Sequence, residues 1–421
     1  MNSPIIGFAG MTHLGLVSAV SAAEKGFSLV CYDPNAATIE GLCQCKLPVL
    51  EPRLDELVLR NNHRLRFTAD ITVLNLCDVV YVSPDVPTDE FGQSDLSTID
   101  LLLDSVFNAT RNETVVVVLS QVPPGFTRAK QRDERFLFYQ VETLIFGRAV
   151  ERALYPERYI IGCADPSKNI PISFKIFLET DECPILLMRF ESAELAKISI
   201  NMCLVASITT ANTLAELCES IGADWSEIVP ALRLDKRIGK YSYLSPGLGI
   251  AGGNLERDLA TVCNFADEHG TDAGVVRAWL ANSRHRRDWP LRVLHREILN
   301  KQPDAVIAVW GLAYKEDTNS IKNSPSLALL NTMPESHFRV FDPVVKIEIS
   351  SNINYIAAES ALDACNGADV LVIMTPWKQF TKISPREVIG RMKGKLILDP
   401  YKILDQISIH DLGIKYITLG V

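Results

Sequence analysis

The chain has 421 residues, of which 47% are hydrophobic and 22% are charged, and its formal net charge is −9 with a pI near 5.4. This length predicts two or three domains, and the composition is that of a globular protein rather than a disordered or collagen-like one. The acidic balance argues against a nucleic-acid partner, because binding to a phosphate backbone requires a basic face.

Targeting and metal signals are absent from the sequence pattern. No uninterrupted apolar run reaches the roughly 18 residues that span a bilayer, and the start MNSPIIGFAG does not resemble a signal peptide. The sequence therefore predicts a cytoplasmic protein without a membrane partner. Ten cysteines are scattered, and the closest pair, Cys43 and Cys45, lacks the spacing of a zinc site. We expect reduced, mostly buried thiols and no bound metal.

Strand and helix patterns divide the chain into three regions. Residues 1–186 alternate between helical stretches and the strand candidates IIGFA, LVCYD, VVYVSP, VVVVLS and YIIG. Residues 187–292 are mainly helical. Strands return over 293–421 as AVIAVWGL, FRVFDP, DVLVIMTP and KLILDP. Alternation of this kind predicts parallel sheets covered by helices, so we expect an α/β protein with two Rossmann-like doubly wound domains joined by a helical core.

The first strand candidate leads directly into a glycine-containing loop, GMTHLG, before a helix expected to begin near Leu16. Gly10 permits the tight turn, and Gly15 allows close packing of helix and strand. Thr12 stands where glycine normally lets the backbone approach a dinucleotide pyrophosphate, although its hydroxyl can itself donate to a phosphate oxygen at a helix N-terminus. Alone, this loop is a weak signal of nucleotide binding.

Asp33 strengthens the prediction of a dinucleotide site. It ends the second strand candidate 18 residues after Gly15, where an acid accepts hydrogen bonds from ribose hydroxyls and repels the 2′-phosphate of NADP. A strand-end Asp without a cofactor is the alternative interpretation. His13 and Leu14 belong to the same loop, and we expect His13 to face solvent or the cofactor rather than to act as a base. The predicted cofactor is NAD.

Eight segments occur in order over nearly the whole chain. They are VLEPRLDEL, VPTDEFGQSDLS, SQVPPGFT, ALYPERYIIG, AELAKISIN, LDKRIG, SPGLGIAGGNLERD and GLAYKEDTNSIKNSP. Together they resemble the UDP-glucose/GDP-mannose dehydrogenase family. The resemblance implies an NAD domain at 1–186, a helical dimerisation core at 187–292, and a domain at 293–421 that binds the nucleotide of a sugar substrate, most readily a UDP-sugar. It adds to the expected cofactor contacts Pro87, Thr88, Ser120 and Gln121.

Lys197 and Asn201 are candidates for the chemistry of alcohol oxidation. They lie four residues apart in a predicted helix, so their side chains share one face about 6 Å apart. A lysine can shuttle the hydroxyl proton, and an amide can donate to the oxygen that gains charge as hydride leaves. A solvated helix face is the alternative, but the neighbouring Leu195, Ile198 and Met202 favour a functional role.

The resemblance also shows where the chain departs from the family. Asn254 stands at the position of the family's cysteine, whose thiolate captures an aldehyde intermediate, and asparagine has no such nucleophile. Asp258 matches an acid that orients the catalytic lysine or a water, and Glu142 matches one of two family glutamates. Gln121 replaces a threonine, and Phe146 replaces the second glutamate.

These departures fall in the second half of the family's reaction. We therefore expect one oxidation of a nucleotide-sugar alcohol, as in β-hydroxyacid dehydrogenases, which carry a similar Lys-x-x-x-Asn helix and no cysteine. Two alternatives remain open. One is a catalytically silent relative that binds NAD and a nucleotide sugar, and the other is a four-electron UDP-glucose 6-dehydrogenase in which water replaces the thiolate.

Substrate contacts are implied by analogy with the family, where cations pair with diphosphate oxygens. The candidates are Arg237, Lys240, Tyr243, Gly249, Gly252, Lys315 and Lys322. We expect Arg237 to reach the neighbouring subunit's substrate in a homodimer, whereas Lys240 and Lys322 are equally compatible with ordinary surface lysines. The segment DPYK at 399–402 replaces the family's D-G-R-N segment. The identity of the sugar is therefore left open.

Overall fold

The computed structural model describes residues 3–87, 89, 94–346 and 352–421. Contacts group the chain into two units, Met1–Ile200 and Asn201–Val421. The family contact expected at Thr88 lies outside the described residues.

The first unit is built on an eight-stranded sheet. Its strands are β1 (Ile5–Ala9), β2 (Ser28–Tyr32), β3 (Leu65–Thr68), β4 (Val79–Val82), β5 (Val115–Val118), β6 (Phe136–Gln140), β7 (Tyr159–Cys163) and β8 (Ile185–Arg189). They lie in the order β3-β2-β1-β4-β5-β6-β7-β8, and neighbours are parallel except for β6 and β7. The first six strands thus have the 3-2-1-4-5-6 order of a doubly wound dinucleotide-binding sheet.

Helices cover both faces of this sheet. They are α1 (His13–Glu24), α2 (Ala36–Cys43), α3 (Leu54–Asn61), α4 (Ser97–Ala109), α5 (Phe126–Ala129), α6 (Ala149–Leu154) and α7 (Ile172–Leu178), with short 3-10 turns at Asn62–Arg64 and Ile71–Leu76. Alternate residues of a central strand enter different cores: in β4, Val79 and Tyr81 pack on one face, and Val80 and Val82 on the other. Burial on both faces explains why the central strands read as continuous apolar runs.

A 32-residue helix, α8 (Phe190–Ile221), begins in the first unit and ends in the second. Its first turns belong to the first unit because Phe190 and Ala193 pack in that unit's core. The contact division at 200/201 therefore differs from the boundary at 186/187 suggested by the sequence pattern, and the three-domain division remains a prediction.

The length and composition of α8 also bear on the membrane expectation. Among the described residues, it is the one helix long and apolar enough to cross a bilayer, and 39% of its most apolar window is buried. The sequence expectation rests on uninterrupted apolar runs, and α8 contains no run of that length because widely spaced charged residues interrupt it. Core helices of soluble proteins meet the same criteria of length and composition.

Four helices lie between α8 and the second sheet. They are α9 (Trp225–Leu234), α10 (Asn254–His269), α11 (Gly274–Arg287) and α12 (Trp289–Leu294), which continues into a π-helical turn at His295–Leu299. Within this unit α10 packs through Leu259 and Cys263 against Val205 of α8 and Val276 of α11. This packing fixes the start of α10, where Asn254 lies.

A six-stranded parallel sheet completes the second unit. Its strands are β9 (Val306–Trp310), β10 (His337–Phe341), β11 (Tyr355–Ala357), β12 (Val370–Ile373), β13 (Leu396–Leu398) and β14 (Lys415–Ile417). Its helices are α13 (Pro325–Thr332), α14 (Ala361–Ala364), α15 (Pro385–Arg391) and α16 (Gln406–Asp411), with a 3-10 turn at Phe380–Lys382. The strand order β11-β10-β9-β12-β13-β14 repeats the doubly wound order of the first sheet. The predicted fold class is confirmed.

Candidate active site

The turn from β1 into α1 requires glycine at two positions, one in the loop and one in the first turn of the helix. Gly10 has φ of +97°, and a Cβ there would lie 2.7 Å from the backbone nitrogen of Pro84. A Cβ at Gly15 would lie 1.8 Å from the carbonyl oxygen of Gly10. Both contacts are far shorter than van der Waals distances, so these glycines create a close approach between loop, helix and sheet. Helix α1 begins at His13 rather than near Leu16, with Thr12 as its N-cap.

Asp33 is fixed at the end of β2 by the loop itself. Its Oδ2 accepts the N–H of Met11 at 2.7 Å, and its Oδ1 accepts the N–H of Asn35 at 2.9 Å. Each carboxylate oxygen retains a further lone pair, so the side chain can still accept ribose hydroxyls. The tight loop and the anchored acid fit a dinucleotide with an unmodified adenosine ribose.

We expect Asp33→Ser to weaken NAD binding about tenfold or more and to reduce discrimination against NADP. The reason is that hydrogen bonds to a charged acceptor contribute about 1.5–3 kcal/mol, and the repulsion of a 2′-phosphate would disappear. Titration of both cofactors by fluorescence or calorimetry measures this. Asp165→Ser, at an exposed Asp whose carboxylate accepts from nearby Ser167, is the matched control. Equal affinity of the native chain for NAD and NADP would refute the role of Asp33.

The N-terminus of α1 already has an anionic partner. Asp85 Oδ2 accepts the N–H of His13 at 3.0 Å, and the N–H of Asp85 donates to the Thr12 hydroxyl at 2.8 Å. The Thr12 oxygen expected to face phosphate is thus engaged with the segment after β4. Helix N-termini attract phosphate groups, so a pyrophosphate at this position would compete with the Asp85 carboxylate.

His13 is buried, so its side chain does not face solvent, and the expected contact with the cofactor stays a prediction. Its Nε2 lies 2.8 Å from Oε1 of Glu51, and its ring centroid lies 4.2 Å from that of Phe146. Glu51 also accepts the N–H groups of Gly147 and Ala149. Burial alone would raise the pKa of Glu51, but these hydrogen bonds lower it. Glu51 comes from the EP segment, whose pairing with His13 the sequence did not show.

The other expected cofactor contacts have separate surroundings. The Ser120 hydroxyl donates to the Pro84 carbonyl at 2.5 Å and is fully buried. The Pro87 carbonyl accepts the N–H of Asp95, and Gln121 follows Ser120 at a half-buried position. The structure therefore gives Ser120 a role in holding the segment after β4.

Lys197 is paired with Glu142 in the first unit. Its Nζ lies 2.9 Å from Glu142 Oε1, and Lys197 is only 9% exposed. The second carboxylate oxygen of Glu142 accepts the N–H of Leu144 at 2.8 Å, which fixes the orientation of the pair. Asp258 is expected to orient Lys197 or a water, which stays a prediction, and the ion pair that the structure shows for Lys197 is with Glu142.

Asn201 is paired with Asp258 in the second unit. Its Nδ2 donates to Asp258 Oδ2 at 2.5 Å, and the other oxygen of Asp258 lies 3.2 Å from Nε of Arg257. All three side chains are buried. The Asp258 carboxyl group, held by the Arg257 guanidinium, orients the amide nitrogen of Asn201, which has a second hydrogen available for donation.

Asn254 is the first residue of α10 and is exposed. The glycine loop before it is held against the segment after β9. Gly252 donates its N–H to the Lys322 carbonyl at 3.1 Å, and its own carbonyl accepts from Asn323 Nδ2 at 2.9 Å. A Cβ at Gly252, where φ is +83°, would lie 2.9 Å from the Tyr314 ring. The loop therefore needs glycine to present Asn254 at the start of the helix.

The remaining substrate candidates lie in different environments. The Arg237 side chain pairs with Asp235 and is 89% exposed to solvent. Tyr243 is 46% exposed, and a Cβ at Gly249 would lie 2.4 Å from the Ser283 carbonyl oxygen. Two further cations flank rings: Lys240 lies 5.7 Å from the Tyr241 centroid and Lys315 lies 5.8 Å from the Tyr314 centroid. Lys322 packs its stem against Gly253 rather than standing free on the surface.

The described residues contain no group of three or more His, Cys, Asp or Glu side chains placed to hold a metal ion. The cysteines among the described residues form no disulfide. Six of them are buried: Cys31, Cys77, Cys163, Cys218, Cys263 and Cys365.

Comparison with family models gives three consecutive matches. Residues 5–179 match the NAD binding domain of the UDP-glucose/GDP-mannose dehydrogenase family, residues 191–284 match its central domain, and residues 308–406 match its UDP binding domain. These ranges cover most of the chain and follow the two sheets and the helices between them.

Similar proteins are known over the full length. The chain is 28% identical to the UDP-glucose 6-dehydrogenase of Rickettsia conorii, covering 99% of both chains. It is 28% identical to the Pseudomonas aeruginosa UDP-glucose 6-dehydrogenase, covering 98% of this chain and 96% of that one. Among solved structures, a UDP-glucose dehydrogenase from Pyrobaculum islandicum superposes with a TM-score of 0.83 at 25% identity over 94% of both chains. A UDP-D-ManNAc dehydrogenase from Pyrococcus horikoshii shares the fold, with a TM-score of 0.84 at 22% identity over 99% of both chains.

Proposed function

The chain belongs to the UDP-glucose/GDP-mannose dehydrogenase family of NAD-dependent enzymes, and we propose that it oxidises one hydroxyl of a UDP-sugar and stops after a single hydride transfer. The observation that carries this proposal is a contrast between two pairs of residues that are present and one residue that is changed. Two buried polar pairs, Lys197 with Glu142 and Asn201 with Asp258, are in place, whereas position 254 has no nucleophile. Relatives named UDP-glucose 6-dehydrogenases support a UDP-sugar as the substrate class.

Lys197 and Glu142 form a route for the hydroxyl proton. Bound NAD supplies the hydride acceptor in such a reaction. Oxidation of an alcohol to a carbonyl also releases one proton, and Lys197 can take it up as it passes its own ammonium proton to the Glu142 carboxylate. The 2.9 Å contact between Nζ and Oε1 lets Glu142 accept that proton. The N–H of Leu144 holds Glu142 in that position.

Asn201 stabilises the oxygen from which the proton departs. One hydrogen of its amide nitrogen is used by Asp258, and the other can donate to an oxygen that gains negative charge. Preorganised donors of this kind lower the barrier because they need no rearrangement during the reaction. The paired Asp258 and Arg257 keep the amide from rotating.

The stopping point follows from the groups that would act on an aldehyde. Conversion to an acid through a covalent adduct needs a nucleophile, and the Asn254 amide cannot serve as one. Phe146 presents a ring that packs on His13 and no carboxyl group. Gln121 offers an amide rather than a hydroxyl. No residue at these three positions performs the second half of the reaction.

Counting NADH per sugar tests the proposal directly. We expect one NADH for each sugar consumed, with an aldehyde or ketone as the product. A catalytically silent relative would give none, and a four-electron enzyme using water would give two. A thermal-shift screen of NAD with a panel of nucleotide sugars first identifies the substrate. Absence of turnover with every sugar that binds would contradict the proposal, since the base and its partner are retained.

We further propose a cytoplasmic homodimer that acts in sugar-nucleotide or polysaccharide biosynthesis and associates through α8. Leu214, Leu217 and Ile221 are 40–65% exposed on its second half, and beside them lies an open groove that includes Trp279 of α11. Exposed apolar side chains grouped along one helix are typical of interfaces between protein chains. Arg237 is exposed and pairs with Asp235 in its own chain, and in the dimer it exchanges this partner for a contact with the other subunit.

We expect light scattering to give twice the chain mass of 46.7 kDa at micromolar concentration. Leu217→Asp should shift the protein toward monomer, because it places a charge in an apolar interface. Leu101→Asp changes an even more exposed leucine of α4 in the first unit and should leave the mass unchanged. A monomeric native protein at micromolar concentration would contradict the proposed dimer.

A further inference from the structure

A cavity of about 70 Å³ lies inside the first unit, on the sheet face covered by α1, α6 and α7. Ser18, Ser21 and Lys25 line it from the later turns of α1, and Phe8 and Tyr81 line it from the sheet. Neither Asp33 nor any glycine of the loop before α1 borders it. A volume of this size exceeds the roughly 10–15 Å³ needed by one water molecule. The cavity is therefore separate from the dinucleotide site and large enough for a small molecule.

Ser21 contributes a buried hydroxyl group to the lining of this cavity. The residue is 2% exposed, and its Oγ has no hydrogen-bond partner among the described residues. A serine within a helix usually bonds the carbonyl four residues earlier, as Ser105 does with Leu101. The Ser21 hydroxyl makes no such hydrogen bond to a backbone carbonyl. The Ser21 hydroxyl is therefore available to a molecule that occupies the cavity.

The cavity rim carries more positive than negative charge. Arg152 Nη1 and Arg158 Nη1 both bond to the single carboxylate of Glu157, at 3.4 and 2.9 Å, so one positive charge remains uncompensated. Lys25 adds no net charge because it pairs with Asp181 at 2.5 Å. Glu142, which also lines the cavity, is likewise neutralised by Lys197. The rim therefore favours a singly charged anion.

The interior combines hydrogen-bond donors with an aromatic wall. Tyr81 donates to Oε1 of Gln140 at 2.9 Å, which leaves the amide nitrogen of Gln140 as a donor. Phe8, Tyr81 and Phe177 supply apolar surface. Donors and a cationic rim around an apolar interior match a small carboxylate with a short hydrocarbon body, whereas inorganic phosphate would leave the aromatic wall uncovered.

We propose that this cavity is a binding site for a small monocarboxylate, which acts as an effector of the pair formed by Lys197 and Glu142. The segment 140–144 forms one wall, and Glu142 lies in it. Arg152, at the rim, donates from Nε to the Thr143 carbonyl at 2.7 Å. A carboxylate at Arg152 therefore acts on the same segment that orients Glu142. The binding itself is independent of the proposed function, and only the effect on turnover rests on it.

Binding is tested with the full-length protein, using butyrate as the probe and calorimetry as the measurement. We expect butyrate to bind in the millimolar range or tighter, and butyramide, of the same shape without charge, to bind at least tenfold more weakly. Arg158→Gln, at a partly exposed position, should weaken butyrate binding about tenfold. Ser21→Leu, which fills the cavity, should abolish it, and Ser105→Leu, on the exposed face of α4, should not change it.

Hydrogen–deuterium exchange provides a readout that does not depend on activity. We expect butyrate to slow exchange over 140–144, and this protection should be lost in Arg158→Gln. If Ser21→Leu fails to fold, Ser21→Ala and Arg158→Gln still test the site. The proposal is overturned if butyrate does not bind, if phosphate binds as well as butyrate, or if Arg158→Gln binds butyrate with native affinity. Butyrate binding without any sugar oxidation would sink the proposed function while leaving the site intact.

Discussion

Lys197→Ala is expected to lower turnover by about two to four orders of magnitude, the loss associated with removing a positioned general base. Binding of NAD and nucleotide sugar should persist, because the glycine loop and Asp33 lie elsewhere in the first unit. Steady-state kinetics should therefore show a large fall in kcat with a small change in KM. Glu142→Gln should reduce kcat less, since the lysine remains but loses its 2.9 Å carboxylate partner.

Lys175→Ala is the matched control for this prediction. Lys175 lies on α7, half exposed, and pairs with Glu179 one helical turn away, so its loss should leave kcat unchanged. Removing Lys197 also leaves the Glu142 carboxylate without its cation in a buried position, which can lower stability. Lys197→Met keeps the length of the side chain and separates a chemical effect from a folding effect. Near-native turnover in both Lys197→Ala and Lys197→Met would show that another group is the base.

The central strands could be predicted from the sequence because burial on both faces makes them continuous apolar runs. β1, β4, β5, β9 and β12 were all expected. Four edge strands were missed. β3, β11 and β14 have three or four residues and are only partly buried, so they carry little hydrophobic pattern, whereas β8, ILLMR, has an apolar sequence. β6, FLFYQ, has a clear strand composition, and nothing physical prevented its prediction.

The candidate site was only partly predictable for a related reason. The shared face of Lys197 and Asn201 follows from helical spacing, which is local. The partners do not: Glu142 lies 55 residues before Lys197, and Asp258 lies 57 residues after Asn201. Similarly, Glu51 meets His13, and Asp85 meets the start of α1, through the order of strands in the sheet. Side-chain partners across such distances depend on tertiary packing rather than on local pattern.

Asn254→Ala should leave a detectable oxidation, and this result would separate Asn254 from the groups that remove the first hydride. An amide at this position can orient substrate but cannot form a covalent adduct. We therefore expect one NADH per sugar both before and after the change, with a moderate fall in kcat. Mass spectrometry of the sugar product, with NADH counted in parallel, measures both quantities.

Asn254→Cys tests the same position by adding the nucleophile. Asn254 is exposed at the first turn of α10, and a helix N-terminus lowers the pKa of a thiol, so the new cysteine should be reactive. Gln121 and Phe146 remain unchanged, however, and no carboxyl or hydroxyl is added to turn the adduct over. We expect at most a trapped sugar adduct, seen as a mass increase on the peptide containing position 254, and no efficient acid formation.

Asn112→Cys, an exposed asparagine in the first unit, controls for nonspecific reaction of an added thiol with a released aldehyde. Labelling at position 254 but not at 112 would show that the aldehyde forms next to the start of α10. A carboxylate product with two NADH per sugar from the native protein would contradict the stopping point, because water would then perform the step that a thiolate performs elsewhere. In that case Asn254→Ala should lower the second NADH more than the first, since the amide would be positioning the attacking water.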